Sequence, residues 1–266
     1  EHILTTETMS YPVEQARKAF AKAAMSADEE ASISNYLYRT GIDHLLSNKQ
    51  VDDARAKLLD LAHLDKMFKL GKQSLDILQY WLKIGDGDQG AGYIESVNQY
   101  LERDLKEDDL DVLEKLMLQL YLASWSISGL KIVEKIEDIF EKIFNPEHQK
   151  LLSLFVFKGN FLFLEADYEN ALEIFKNVLL KQEKTLGVSH PDTLLTVNNL
   201  GLLYYNLGDY KKAESFYRRC IEGNEISFGK DHPNTLTYTA NLAELFDKIE
   251  DYKNAITQYK ILIDLQ

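Results

Sequence analysis

At 266 residues the chain is long enough to bury a sizeable core or to build a continuous solenoid of about a dozen helices. Only 4 prolines and 13 glycines occur, and no long window alternates like a strand, so an all-α fold is expected. The net charge of −13, with no Lys/Arg cluster, argues against nucleic-acid phosphates and anionic membranes as partners.

That charge is uneven. Residues 1–147 carry 27 acidic and 17 basic side chains, against 16 and 13 in residues 148–266. No 18-residue apolar run and no basic-then-apolar N-terminus mark a membrane span or a signal peptide. The single cysteine, Cys220, cannot form an internal disulfide, which fits a reducing, cytoplasmic setting. It occupies a helix position that wants a small apolar group, so a buried structural thiol is expected rather than a reactive one. The first residue is Glu1 rather than methionine, which predicts a piece of a longer polypeptide.

In chain order, the apolar spacing predicts a helix over residues 5–25, with Val13, Ala16 and Phe20 inward and Pro12 in its first turn. Helices over 31–47 and 51–64 follow, joined by Asn48-Lys49-Gln50. Gly41 and Ala54 are 13 residues apart, as in a helical hairpin slightly out of phase with those further on. The strings Asn35-Tyr36-Leu37, Asp43-His44-Leu45-Leu46, Asp52-Asp53-Ala54-Arg55 and Leu58-Leu59-Asp60 with Leu64 resemble a segment of the STAND signalling ATPases, the NACHT and NB-ARC families. In those proteins it follows the nucleotide-binding and winged-helix modules, and tetratricopeptide or WD repeats often come after it as the sensing part. No G-x-x-x-x-G-K-[ST] loop occurs, so the resemblance implies an ATPase upstream of Glu1, with any oligomer formed through that parent protein.

Residues 65–147 read as degenerate helical pairs whose partners the spacing does not determine. A helix over 65–84 carries Met67, Leu70, Leu75, Leu78, Trp81 and Leu82. The glycine-rich stretch 85–92 breaks it. Asp86 and Asp88 there lack the further oxygen ligands and the distal glutamate of a calcium loop, so a plain connector is expected. Helices over 93–105, 110–127 (stopped by Gly129) and 130–144 complete the region.

From residue 148 the chain repeats itself. His190-Pro191-Asp192-Thr193-Leu194 returns 42 positions later as His232-Pro233-Asn234-Thr235-Leu236, and the same step maps Gly201 onto Ala243, Asp209-Tyr210 onto Asp251-Tyr252, Ala213 onto Ala255 and Tyr217 onto Tyr259. Stepping back 42 reaches Gly159, Asp167-Tyr168, Ala171 and Phe175. Each unit, 148–189, 190–231 and 232–266, reads as two amphipathic helices, A and B, with Asn206-Leu207-Gly208-Asp209 a typical turn between them. Small residues at positions such as Gly201 and Ala213 let the paired helices approach closely. The pattern resembles the tetratricopeptide repeat, in the longer form found in kinesin light chains and nephrocystin-like proteins, over about residues 147–266. The resemblance implies a right-handed superhelical solenoid of antiparallel helix pairs that binds proteins. The first unit departs from the pattern: it has Lys158 where Leu200 and Leu242 stand and no His-Pro, so an irregular junction with the preceding helices is expected.

No catalytic constellation, zinc-ligand spacing or cofactor motif is legible, so neither an enzyme nor a cofactor is expected in these residues. What remains is binding surface. With A helices lining the concave side, the groove positions are Val156, Phe157, Asn160 and Phe163; Asn198, Asn199, Leu202, Tyr205 and Asn206; Asn241, Glu244, Asp247 and Lys248. The kinesin-light-chain resemblance implies that Asn198, Asn199 and Asn241 hold an extended peptide by its backbone. Asparagine both donates and accepts, so these residues either do that or bridge neighbouring helices. The groove's basic content is essentially Lys248, beside Glu244 and Asp247, and Phe157, Phe163 and Tyr205 favour a partner offering apolar anchors and basic residues, unless Phe157 or Phe163 packs inside. Three uses fit, in this order: the sensing region of a STAND-like protein, an adaptor for short linear peptides, and a non-catalytic part of an enzyme.

Overall fold

The structure, a computed structural model, describes residues 51–70, 74–84, 90–103 and 110–265, with Lys72 and isolated positions between 42 and 49. All regular structure among the described residues is α-helical. The chain forms two compact units, Glu1–Leu105 and Lys106–Gln266, so the boundary expected at residue 147 falls inside the second.

In the first unit the described helices are α1 (Val51–Leu59), α2 (Leu61–Lys69), α3 (Ser74–Ile84) and α4 (Gly90–Leu101). The helices expected over 5–25 and 31–47, most of the Asn35–Leu46 string and the Asp86/Asp88 connector lie outside the described residues. The expected helix 51–64 is divided at Asp60, whose carboxylate accepts from the N–H of Ala62 (2.9 Å) and His63 (3.3 Å). A side chain that caps a helix start this way competes with continuation of the helix before it. The expected helix 65–84 is likewise two, because α2 closes at Leu70 before Ser74 opens α3. Ala54, Leu58, Leu64, Met67, Ile77, Trp81, Tyr93 and Val97 form the unit's interior. There the Trp81 indole N–H donates to the Tyr93 hydroxyl at 3.1 Å, which satisfies a donor that burial would otherwise penalise.

The second unit is a row of helix pairs: α5 (Asp111–Leu122) with α6 (Ser126–Ile143), α7 (Gln149–Leu164) with α8 (Tyr168–Thr185), α9 (Pro191–Asn206) with α10 (Tyr210–Phe228), and α11 (Pro233–Lys248) with α12 (Tyr252–Asp264). The first member of each pair is the A helix and the second the B helix. Gly129 does not stop a helix, as the sequence suggested. The break comes earlier, at Ser124, and Gly129 lies inside α6.

The turn inside every pair is the same. Ser124, Ala166, Gly208 and Glu250, each 42 residues after the last, have φ of 57°, 60°, 77° and 61°. The N–H after each reaches back to the carbonyls of Leu120, Leu162, Tyr204 and Phe246 at 2.8–2.9 Å, and the turn residues' own N–H groups reach Tyr121, Phe163, Tyr205 and Asp247. This double closure is a Schellman motif, which satisfies the last carbonyls of each A helix. Asp167, Asp209 and Asp251 then cap the B helices through the N–H of Asn170, Lys212 and Asn254. At the other end, His148, His190 and His232 cap α7, α9 and α11, each ring Nδ1 accepting from the N–H two residues on at 3.2 Å. The histidine period therefore includes His148, where no proline follows.

Packing explains the small residues. A Cβ added at Gly159 would come within 2.6 Å of the Phe175 ring, and one at Gly201 within 2.6 Å of the Tyr217 ring. One period upstream, Met117 and Val133 take these two places, both fully buried. The large and small partners have exchanged helices. A second exchange links neighbouring pairs: Gly129 lies against Phe161, where its Cβ would sit 2.5 Å from the ring. The corresponding positions one and two periods on hold Ala171 with Leu203 and Ala213 with Leu245, all buried. Lys158, the polar exception in the first sequence repeat, forms an ion pair with Glu137 of α6 at 2.5 Å. The junction expected to be irregular thus takes a charge pair in place of a leucine.

Candidate functional site

The A helices α5, α7, α9 and α11 lie side by side, and side-chain bonds between them keep a constant offset. Asn199 Nδ2 donates to Asn160 Oδ1 (2.9 Å), 39 positions away, and Asn241 Nδ2 donates to Asn198 Oδ1 (2.8 Å), 43 away. Gln149 Nε2 donates to Asp192 across the α7–α9 contact (2.7 Å), and Lys150 forms an ion pair with Asp111 across α5–α7 (2.8 Å). These offsets straddle the 42-residue period, as they must when helices one repeat apart run in the same direction. The asparagines therefore do bridge neighbouring helices. Each bridge spends one N–H and one carbonyl oxygen. Among the described residues Asn160 Nδ2 and Asn199 Oδ1 carry no further hydrogen bond, and both side chains are half-buried.

Between α5, α7 and α9 these side chains border a cavity of about 460 Å³. Leu118, Val156, Phe157 and Leu195 supply apolar wall, with Tyr121 beside them. Glu114, Ser153 and Asp192 gather at one end, and Asn160 and Asn199 line it further along the helices. The volume lies within the range of clefts that seat a side chain or a small ligand. Burial pushes the Glu114 carboxyl above its ordinary value. The negative charges of Asp111 and Asp192 push the same way, against a hydrogen bond with Ser153 and the Lys150 ammonium. Burial also raises the Tyr121 hydroxyl. Gln182, at the end of α8, closes the back of the cavity. It is 3% exposed, and its Oε1 has no hydrogen-bond partner among the described residues.

Of the thirteen groove positions expected from the sequence, Val156, Phe157, Asn160 and Asn199 line this cavity. The others lie elsewhere. Asn198 and Asn241 form the bridge between α9 and α11, and Asn198 is 7% exposed. Phe163, Leu202 and Tyr205 pack against the core, with the Phe163 ring tilted on Tyr168 and the Tyr205 ring edge-on to Tyr210. The Tyr205 hydroxyl donates to Glu244 at 3.5 Å, and burial raises its pKa, followed by the nearby negative charge of Glu244. Asn206 donates to the Leu202 carbonyl of its own helix. Glu244, Asp247 and Lys248 are exposed beyond the cavity.

The wall contributed by α5 is absent from the sequence reading. The signal for it existed: one more step of 42 back from Val156, Phe157 and Asn160 lands on Glu114, Lys115 and Leu118, which all line the cavity. Away from this site, Cys220 is fully buried, its thiol donates to the Leu194 carbonyl at 3.3 Å, and burial raises its pKa. Among the described residues no group of three or more His, Cys, Asp or Glu side chains is placed to hold a metal. No helix of the described residues is long and apolar enough to cross a membrane.

Residues 150–226 match the tetratricopeptide repeat family. No curated protein sequence matches it. Among solved structures it is similar to BtubC (BKLC) from P. vanneervenii, with 14% identity, a TM-score of 0.60 and coverage of 84% of this chain and 90% of that one. It is also similar to a candidate kinesin light chain of Podosopora anserina with nearly identical tetratricopeptide-like repeats: 16% identity, TM-score 0.54, covering 87% and 95%. A singly substituted form of that protein matches at 16% identity and a TM-score of 0.56 over the same shares. These likenesses establish the fold: an all-α solenoid of antiparallel helix pairs. The family match begins at residue 150 and does not reach the STAND-like strings of residues 35–64.

Proposed function

We propose that this chain is a protein-interaction scaffold whose A-helix face holds an extended peptide segment of a partner. The observation that carries this reading is the cavity between α5, α7 and α9, where an apolar wall meets the Asn160–Asn199 bridge. That bridge keeps amide donors on one residue and an acceptor on the other, the complement of a peptide unit. A preformed, half-buried donor–acceptor pair orients a backbone, while the apolar wall supplies the area that makes binding favourable.

An adaptor for short linear peptides is the form of this function we favour, because two of the similar structures are of a candidate kinesin light chain. The other form, the sensing region of a STAND-like protein, rests on the resemblance of residues 35–64 alone. The same cavity would serve it. A reducing, cytoplasmic setting suits the buried free thiol of Cys220.

Selection from a random peptide display library tests the proposal. The wild-type chain should enrich a family of related sequences. Asn160→Ala with Asn199→Ala should weaken their binding about tenfold, the cost of one or two lost hydrogen bonds, while the circular dichroism spectrum is kept. Undiminished affinity in that double variant would count against the groove.

A further inference from the structure

The way the charges around the cavity are paired bears on what kind of peptide it takes. On the three helices that wall it, the carboxylates near the cavity are Asp111, Glu114 and Asp192, and the cations are Lys115, Lys150 and Lys158. None of those cations is free. Lys150 pairs with Asp111, Lys158 turns to Glu137 on the B-helix side, and Lys115 is engaged as well. Glu114 and Asp192 both line the cavity and are close enough for the Asp192 charge to act on Glu114. Glu114 has Ser153 as its hydrogen-bond partner with the Lys150 ammonium nearby, and Asp192 accepts from the Gln149 amide with the His190 ring 3.8 Å away, so neither carboxylate is the hydrogen-bond partner of a lysine or arginine in these contacts. Two like charges brought together in a half-buried cleft repel, and a cation placed between them relieves that repulsion. Gln182 adds to the same wall a carbonyl oxygen that is nine-tenths buried and without a donor among the described residues. Apolar surface continues from this acceptor end along Leu118, Val156, Phe157 and Leu195.

We infer that the cavity between α5, α7 and α9 selects peptides in which a lysine or arginine stands next to an aromatic or large aliphatic residue. The inference rests on the peptide-binding reading of the same groove. The apolar side chain lies on Leu118, Val156, Phe157 and Leu195. The cation reaches the Glu114–Asp192 end, where its N–H groups are donors to two carboxylates. Arginine is the better fit, since its planar guanidinium can serve both at once and is more weakly hydrated than an ammonium. Acidic peptides are rejected by the same pair.

The recovered sequences of the display selection, together with binding measurements, test this. Probes are short peptides blocked at both ends and alike except at two central positions, carrying Phe-Arg, Phe-Gln, Phe-Glu or Ala-Arg. The expected result is enrichment of Lys or Arg within two positions of an apolar residue. Phe-Arg should bind about tenfold more tightly than Phe-Gln or Ala-Arg, and Phe-Glu most weakly. The advantage of Phe-Arg should shrink with added salt. Glu114→Gln, alone and with Asp192→Asn, should bring Phe-Arg down to the level of Phe-Gln and leave Phe-Gln unchanged, at unaltered melting behaviour. Enrichment of Asp or Glu, or equal binding of Phe-Arg, Phe-Gln and Phe-Glu, would overturn the charge selectivity. If that equal binding is lost in the Asn160→Ala, Asn199→Ala variant, the groove itself stands. A wild-type chain that enriches nothing and binds none of the four overturns both readings.

Discussion

The pair α5–α6 and the pair α9–α10 have the same turn and the same helix lengths to within a few residues, yet share almost none of the residues that mark the repeat. In α9–α10 the contact between helices is Gly201 under Tyr217. In α5–α6 the corresponding positions are Met117 and Val133. The turn is closed at Gly208 in one and at Ser124 in the other, with nearly the same left-handed backbone. The difference teaches that the geometry of the turn is held fixed while the interface can be filled with its bulk on either helix. Close packing is sensitive to total volume, and which helix carries the bulk matters less.

The most damaging change should be Gly201→Leu. Its Cβ alone would approach the Tyr217 ring to 2.6 Å, so we expect about 3 kcal/mol or more of lost stability in thermal or denaturant unfolding. Writing the α5–α6 solution into the later pair sharpens this. Gly201→Met and Tyr217→Val should each destabilise alone, while the double variant should regain at least half of the summed loss in a double-mutant cycle. Strict additivity would refute volume exchange. A smaller effect, about 1–3 kcal/mol, is expected from Gly129→Ala, whose new methyl meets the Phe161 ring at 2.5 Å. Adding Phe161→Leu copies the Ala171–Leu203 arrangement and should recover most of it, as read from melting temperatures. The smallest effect concerns the turn. Ala166 holds φ of 60°, which costs a side chain roughly 1 kcal/mol or more, so Ala166→Gly should leave stability unchanged or raise it by up to about 1 kcal/mol. The same change at Ser124 should behave alike, and a clear loss at both would mean that their side chains matter more than the backbone.

How legible the molecule was in its sequence follows from these same residues. The later pairs announce themselves because glycine, alanine and aromatic residues stand at fixed places, and because His190-Pro191 and Asp209 cap helices by local chemistry. Local signals misled in three places. Asp60 looked like an interior helix residue and is a cap; Gly129 looked like a stop and is a packing site; His148 without its proline was not seen as part of the period. The α5 wall of the cavity was missed because α5 carries Glu114, Lys115 and Leu118 in place of the residues that mark the repeat further on, while Ser153, Asp192, Leu195 and Gln182 lie outside the groove positions counted from Gly159 and Gly201.

Helical class, the 42-residue step and the caps of α8 to α12 were determined by the sequence alone, since periodicity and capping act between residues close along the chain. Only the tertiary structure decided that α5 and α6 belong to the same array, that the asparagines bond to each other, and that Glu114 and Asp192 share a cleft with Gln182 behind it. Those facts depend on residues brought together from 39 to 78 positions apart, where exchanging a large residue for a small one leaves the packing intact while erasing the pattern that would have revealed it.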